Sequence, residues 1–269
     1  MPDHVAIVTG ASQGIGLAIS RALAADGVGL CLVAAPQDEA RLREVAKELD
    51  AVALASDVGD PSTAERAVES TLERYGRLDR LASNAGIAYF ENVLDASLEH
   101  FDHTMHVNVR GMYLMTTTAA RHMAAHGGGA IVCTASTASI AGEELQAIYN
   151  ASKGAVAQLA RSLAVDLARY GIRVNAVAPG WTRTQPVEEI VQDDAVWSKH
   201  RSRIPLDRPA DPNEIASVVR FLLSDEASYV TGSLVMADGG LTAGYRFSDW
   251  EAVPVPEEPR AVLRYETSP

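Results

Sequence analysis

Apolar, β-rich runs alternate with helical patterns along almost the whole chain. The runs "VAIV" (5–8), "LCLV" (30–33), "AVALA" (51–55), "RLAS" (80–83), "AIVCTA" (130–135), "RVNAVA" (173–178) and "SLVMA" (233–237) each predict a strand. Between the first two, Ile15, Ala18, Ile19, Ala22 and Leu23 recur at the i, i+3, i+4, i+7, i+8 spacing of a helix lying on a sheet. Asp60-Pro61 and Asp211-Pro212, the latter followed by Glu214, predict two later helix starts, because aspartate can cap free N–H groups and proline fits the first turn. Strands that are apolar nearly throughout and separated by helices imply a parallel sheet covered on both faces. The expected fold is therefore α/β, a single doubly wound domain spanning 1–245 with a parallel sheet of about seven strands.

After Gly244 the pattern stops. The segment "YRFSDWEAVPVPEEPRAVLRYETSP" carries proline and charge in place of periodicity, so 246–269 reads as a C-terminal extension, either a disordered end or an arm packed on a neighbouring subunit.

Composition narrows the function. The chain has 269 residues, 47% hydrophobic and 22% charged, enough for a full core in one globular domain. A formal net charge of -12 without a Lys/Arg cluster argues against a nucleic-acid partner. The apolar runs are far shorter than the roughly 18 residues of a membrane span, so no membrane partner is expected. The opening "MPDHVAIVTG" enters a strand pattern at once and leaves no room for a signal peptide, which predicts a cytoplasmic protein. Cys31 and Cys133 lack the paired spacing of a zinc or redox motif and read as buried packing residues.

The first strand runs into "TGASQGIG" (9–16), where the first helix begins. Gly10, Gly14 and Gly16 remove side chains where the backbone turns sharply, where it approaches a pyrophosphate, and where helix meets strand. The helix N-terminus then offers N–H groups and a positive dipole end to phosphates. A tight turn without a ligand is the competing reading of such a string alone.

The spacing G-x-x-x-G-x-G differs from the commoner dinucleotide fingerprint and resembles the short-chain dehydrogenase/reductase family. Further motifs follow in that family's order: "SDV" (56–58), "SNAG" (83–86), "VN" (107–108), "YNASK" (149–153), "APGWTRT" (178–184) and "SYVTGSLVMADGG" (228–240). The resemblance covers about residues 3 to 245 and implies a Rossmann-like domain that binds a nicotinamide cofactor. Carried onto this sequence, it implies that Gly10, Ser12, Gln13, Gly14, Ile15 and Gly16 hold the cofactor. Asp57 would accept from the adenine amino group, Val58 would touch the ring, and Asn84, Ala85 and Gly86 would line the adenosine side. Pro179, Gly180, Thr182 and Thr184 would meet the nicotinamide end. A hydrophobic residue commonly stands where Thr182 is, but its backbone would make the contact.

Tyr149 and Lys153, four apart in a helical stretch, project from one face. A phenol near pKa 10 exchanges protons poorly at neutral pH, and a nearby ammonium lowers it, as would an oxidised nicotinamide. Tyr149 thereby becomes an acid/base candidate. By resemblance, Ser136 hydrogen-bonds the substrate oxygen, Asn108 bends its helix and holds a water linking Lys153 to solvent, and Lys153 and Tyr149 also contact the cofactor. In the oxidative direction Tyr149 takes the alcohol proton while hydride leaves the carbinol carbon. No metal is required.

The segment "VAAPQDE" places Ala34 and Ala35 where the family puts the side chains that choose between cofactors, and Gln13 is neutral. With no cation to meet a phosphate, and with Asp38 and Glu39 close by, NAD is the expected cofactor; NADP stays open. The substrate should face the segments around Tyr89 and Phe90, from Ser139 to Gln146, and from Trp181 to about Pro205. Glu143, Glu144 and Gln146 there suit a hydroxylated or cyclic alcohol better than a long acyl chain. His100, His103 and His106 recur every third residue, but such positions drift around a helix instead of converging on a metal. The expected partners are a small alcohol or ketone and, by resemblance, further copies of the chain in a homotetramer packed through the helices of Asn108 and Tyr149. The alternatives are a 3-oxoacyl carrier-protein reductase, for which the absent phosphate-binding Arg is awkward, and a catalytically silent dinucleotide sensor. Silent forms commonly lose the tyrosine or lysine, and this chain keeps both.

Overall fold

The computed structural model describes residues 2–244, so the expected extension at 246–269 lies outside the described residues. Seven parallel strands form one sheet in the order β3-β2-β1-β4-β5-β6-β7. They are β1 (Val5–Thr9), β2 (Gly29–Ala34), β3 (Val52–Ala55), β4 (Arg80–Ser83), β5 (Gly129–Thr134), β6 (Ile172–Pro179) and β7 (Leu234–Ala237). Each expected strand is present, with ends shifted by a residue or so.

The helices α1 (Gly14–Ala25), α2 (Glu39–Glu48) and α9 (Pro212–Leu223) cover one face. The other face is covered by α3 (Pro61–Tyr75), α5 (Met112–Ala125) and α6 (Ala147–Leu167). The remaining helices are α4 (Leu98–Met105), α7 (Gln185–Gln192) and α8 (Asp194–Arg201). Strand residues divide between the two layers by their period of two: Ala6 and Val8 pack with α1, whereas Ile7 packs with the opposite layer. This explains why the strand runs are apolar throughout. Both aspartate caps form as expected, Asp60 accepting from Ser62 N and Asp211 making a reciprocal capping box with Glu214.

The chain winds outward from β1 to β3 and then returns to place β4 beside β1. Loops leaving the ends of β1 and β4 must therefore part in opposite directions, and the crevice between them is where a doubly wound sheet binds its ligand.

Candidate active site

The crevice is closed by Thr9, the last residue of β1. Its Oγ1 accepts from Asn84 N and Ala85 N, both at 2.9 Å, while Asn84 Nδ2 donates to the Thr9 carbonyl at 3.1 Å. Thr134 Oγ1 donates to Asn84 Oδ1 at 3.1 Å, so the ends of β1, β4 and β5 are bound into one frame. The glycine turn lies over it. Gly10 and Gly14 have φ of 65° and 54°, which side chains disfavour. A Cβ on Gly16 would overlap the Gly10 carbonyl and sit 2.8 Å from Asn84 Nδ2. Helix α1 starts with no side-chain cap and no acidic residue in its first turn, so its N-terminal N–H groups keep their affinity for an anion. Ile15 and Ala85 are half-buried beside this turn. Thr184 stands across the turn, 3.1 Å from where a Gly14 Cβ would lie, and Thr182, 4% exposed, donates to the Gly180 carbonyl. Pro179 ends β6 in register with Ala237. The crevice and this turn thus have the shape and donors of a dinucleotide site.

Ser136, Tyr149 and Lys153 come together beyond the ends of β4 and β5. The Ser136 hydroxyl lies near enough to the Tyr149 phenol to favour its ionised form, and its Oγ accepts from Ala138 N at 3.2 Å. Lys153, 4% exposed, donates from Nζ to the Thr134 carbonyl at 2.8 Å and stands 5.6 Å from the Tyr149 ring centroid. Ser139 ties the same elements, donating to the Lys153 carbonyl at 2.8 Å and accepting from Ser136 N at 3.2 Å.

Asn108 lies in a π-helical segment, His106–Gly111, between α4 and α5. Such a widened turn displaces the backbone hydrogen-bond register. The Asn108 amide is fully engaged: Oδ1 accepts from Ile87 N at 2.8 Å, and Nδ2 donates to the Ile87 carbonyl at 2.9 Å and Ser152 Oγ at 3.0 Å. Its side chain therefore anchors the loop after β4 to α6. A Cβ on Gly86 would meet Lys153 Nζ at 3.1 Å and Asn108 Oδ1 at 3.3 Å, which shows how closely the backbone passes both groups.

The protonation balance differs from the expectation for an isolated Tyr-Lys pair. Burial pushes the Tyr149 phenol up to about 12; the Ser136 hydroxyl opposes this and the Glu143 charge adds to it. Burial also pulls the Lys153 ammonium down to about 8. Among the protein's own groups, desolvation outweighs the lowering by Ser136.

The family model described as "Enoyl-(Acyl carrier protein) reductase" matches residues 10–242. An uncharacterised oxidoreductase of Thermotoga maritima is 38% identical over 246 residues, 89% of this chain and 97% of its own. An L-rhamnose 1-dehydrogenase (NAD(P)(+)) of Azotobacter vinelandii is 37% identical over 247 residues, 89% of this chain and 96% of its own. The crystal structure of levodione reductase superposes with a TM-score of 0.83 at 36% identity, over 91% of this chain and 100% of that one. The chain belongs to the short-chain dehydrogenase/reductase family. It is an oxidoreductase that acts on CH–OH groups or the corresponding ketones with a nicotinamide cofactor.

Two features of this short-chain dehydrogenase/reductase were not legible from its motifs. Between α1 and α2, an open cleft of about 470 Å³ is lined by Ser12, Gln13, Gly14, Leu17 and Arg41, among others. Asp38 Oδ2 accepts from Ser12 Oγ at 3.3 Å, and the Arg41 guanidinium bonds the Gln13 side chain. The quoted segment carries no cation, but Arg41, two residues past Glu39 in α2, is turned by the fold onto Gln13.

The three histidines take separate hydrogen-bond partners, although His100 and His103 both pack on the Tyr89 ring. His100 Nδ1 meets Glu91 Oε2 at 2.7 Å, His103 Nδ1 meets the Tyr89 hydroxyl at 2.8 Å, and His106 Nε2 meets Asp57 Oδ2 at 3.0 Å. Asp57 also accepts from Gly59 N at 2.8 Å, so it already has partners on both oxygens. Val58 is buried against Gly111. Thr9 and Thr134 are the site residues that the motif reading passed over. The only signal for them was their place at strand ends beside the glycines and Ser136.

Proposed function

We propose that this enzyme transfers a hydride between NAD and a neutral secondary alcohol or its ketone, with Tyr149 as the acid/base group. The observation that carries the reading is the meeting of Ser136, Tyr149 and Lys153 at the carboxyl edge of the sheet, beside the glycine turn. The cofactor supplies the hydride acceptor and, when oxidised, a positive charge that favours the phenolate. Tyr149 then takes the proton from the substrate hydroxyl, and Ser136 steadies the oxygen as it becomes a carbonyl. Lys153, fixed by the Thr134 carbonyl, keeps a buried cation beside the phenol and the nicotinamide ribose. Asn108 ties the Ile87 backbone to α6, and its widened helical turn is the place for a water that would return the proton to solvent.

Asp38 supports NAD, since its carboxylate lies beside Ser12, where it can accept from an adenosine ribose hydroxyl. Arg41 is the group that would admit NADP. The similarity to an L-rhamnose 1-dehydrogenase supports a hydroxylated substrate. The homotetramer is supported by exposed apolar side chains on and before α4 and on α5, including Leu94, Leu98 and Tyr113 at 88%, 80% and 47% exposure. Two buried, free cysteines suit the reducing cytoplasm. Among the described residues no helix is long and apolar enough to cross a membrane.

The test is a panel of alcohols and ketones assayed by nicotinamide absorbance with each cofactor. Turnover of secondary alcohols with NAD ahead of NADP supports the reading. A preference for NADP would overturn the cofactor assignment, and silence across the panel would overturn the substrate class.

A further inference from the structure

One carboxylate ties the turn after Ser136 to the start of α6. Thr137 Oγ1 donates to Glu143 Oε1 at 2.9 Å, and Gln146 Nε2 donates to Oε2 at 3.0 Å. The Glu143 main-chain carbonyl accepts from Asn150 Nδ2 at 2.9 Å. Thr137 and Asn150 directly follow Ser136 and Tyr149, so Glu143 is oriented by the immediate neighbours of the two residues assigned to the reacting oxygen. Asn150 Oδ1 is buried with no hydrogen-bond partner among the described residues.

The Glu143 charge reaches across the region. It helps to push the Tyr149 phenol up, and it opposes the burial that lowers the His200 imidazole. His200 lies against Trp181 with ring centroids 4.4 Å apart, and Trp181 meets Trp197 edge-on at 6.1 Å. Trp181 itself follows Gly180 at the end of β6. A fixed carboxylate therefore lies within electrostatic reach of both the acid/base tyrosine and the histidine that backs Trp181. A carboxylate has roughly four acceptor directions, and two protein donors leave capacity for more.

We propose that Glu143 selects the substrate, accepting a hydrogen bond from a second hydroxyl adjacent to the reacting carbinol while Trp181 covers the apolar face of the carbon skeleton. The inference rests on Tyr149 being the acid/base group. The substrate class is a neutral vicinal diol or the matching α-hydroxyketone. A monohydric alcohol would cover the half-buried carboxylate without satisfying it, and a substrate with its own carboxylate would meet like charge.

The experiment compares oxidation of 1,2-cyclohexanediol, cyclohexanol and 2-hydroxycyclohexanecarboxylate by the native enzyme, Glu143→Gln, Thr137→Val and Tyr149→Phe. The native enzyme should favour the diol over cyclohexanol by about tenfold or more in kcat/KM. Glu143→Gln should cut that ratio by about fivefold and raise relative turnover of the carboxylate substrate. Thr137→Val, which removes one anchor of the carboxylate, should lower the ratio in the same direction and guards against misfolding of the first variant. A diol preference that is absent in the native enzyme, or unmoved in both Glu143→Gln and Thr137→Val, overturns the assignment. Native turnover by Tyr149→Phe would instead defeat the acid/base reading beneath it.

Discussion

Lys153 is held by Thr134: its Nζ donates to that residue's carbonyl at 2.8 Å, at the end of the strand leading to Ser136. A single backbone oxygen thus fixes a cation that is otherwise buried and pulled down to about 8. This arrangement makes the site sensitive to pH and dependent on the end of β5 for its geometry.

The first prediction concerns stability. The folded value of Lys153, about 8, lies below its ordinary 10.5. Between those values the unfolded chain binds a proton that the folded chain has released, so this group's contribution to stability rises with pH. Chemical denaturation of the native protein and Lys153→Met at pH 7 and pH 10 should show the difference between them shifting toward the native protein by on the order of 2–3 kcal/mol. A pH-independent difference would count against burial of the charged group. Above pH 10 the raised Tyr149 works in the opposite direction, as the unfolded phenol ionises first.

A second prediction concerns proton transfer. Tyr149→Phe should abolish measurable turnover, with cofactor affinity by fluorescence titration within about twofold of native. Ser136→Ala should lower kcat by about a hundredfold or more, the scale of one lost oxyanion-type donor. Turnover of Tyr149→Phe at the native rate would remove the acid/base role.

The glycine turn supplies a third. A Cβ at Gly16 overlaps the Gly10 carbonyl, and neither backbone can retreat from the frame held by Thr9 and Asn84. Gly16→Ala should cost about 1–3 kcal/mol in denaturation and weaken cofactor binding. Gly27→Ala serves as a comparison, because a Cβ there meets nothing within 4 Å and only the φ of 76° opposes it.

Cofactor choice gives a fourth. Arg41→Ala should lower the NADP-to-NAD ratio of kcat/KM by about fivefold or more, and Asp38→Asn should raise it. Unchanged ratios in both variants would place discrimination elsewhere.

Much of the fold was legible from the chain. Strands apolar on both faces predicted a parallel sheet covered on two sides, and Asp60-Pro61 and Asp211-Pro212 marked helix starts correctly. The family motifs placed Ser136, Tyr149 and Lys153 in order, and the fold brings them together. The expected direction for the Tyr149 phenol did not survive, since helix spacing says nothing about how much water reaches it. Arg41 was missed for a related reason: it meets Gln13 only because α1 and α2 pack side by side on one face.

The sequence by itself determined the elements, the two-sided burial and the candidates for the reacting groups, because periodicity, capping and motif spacing are local properties. Tertiary structure decided that Thr9 would bridge to Asn84, that Thr134 would hold Lys153, and that Asn108 would bind the loop after β4. Those partners lie far apart along the chain, and only the strand order and the depth of burial bring them within hydrogen-bonding range.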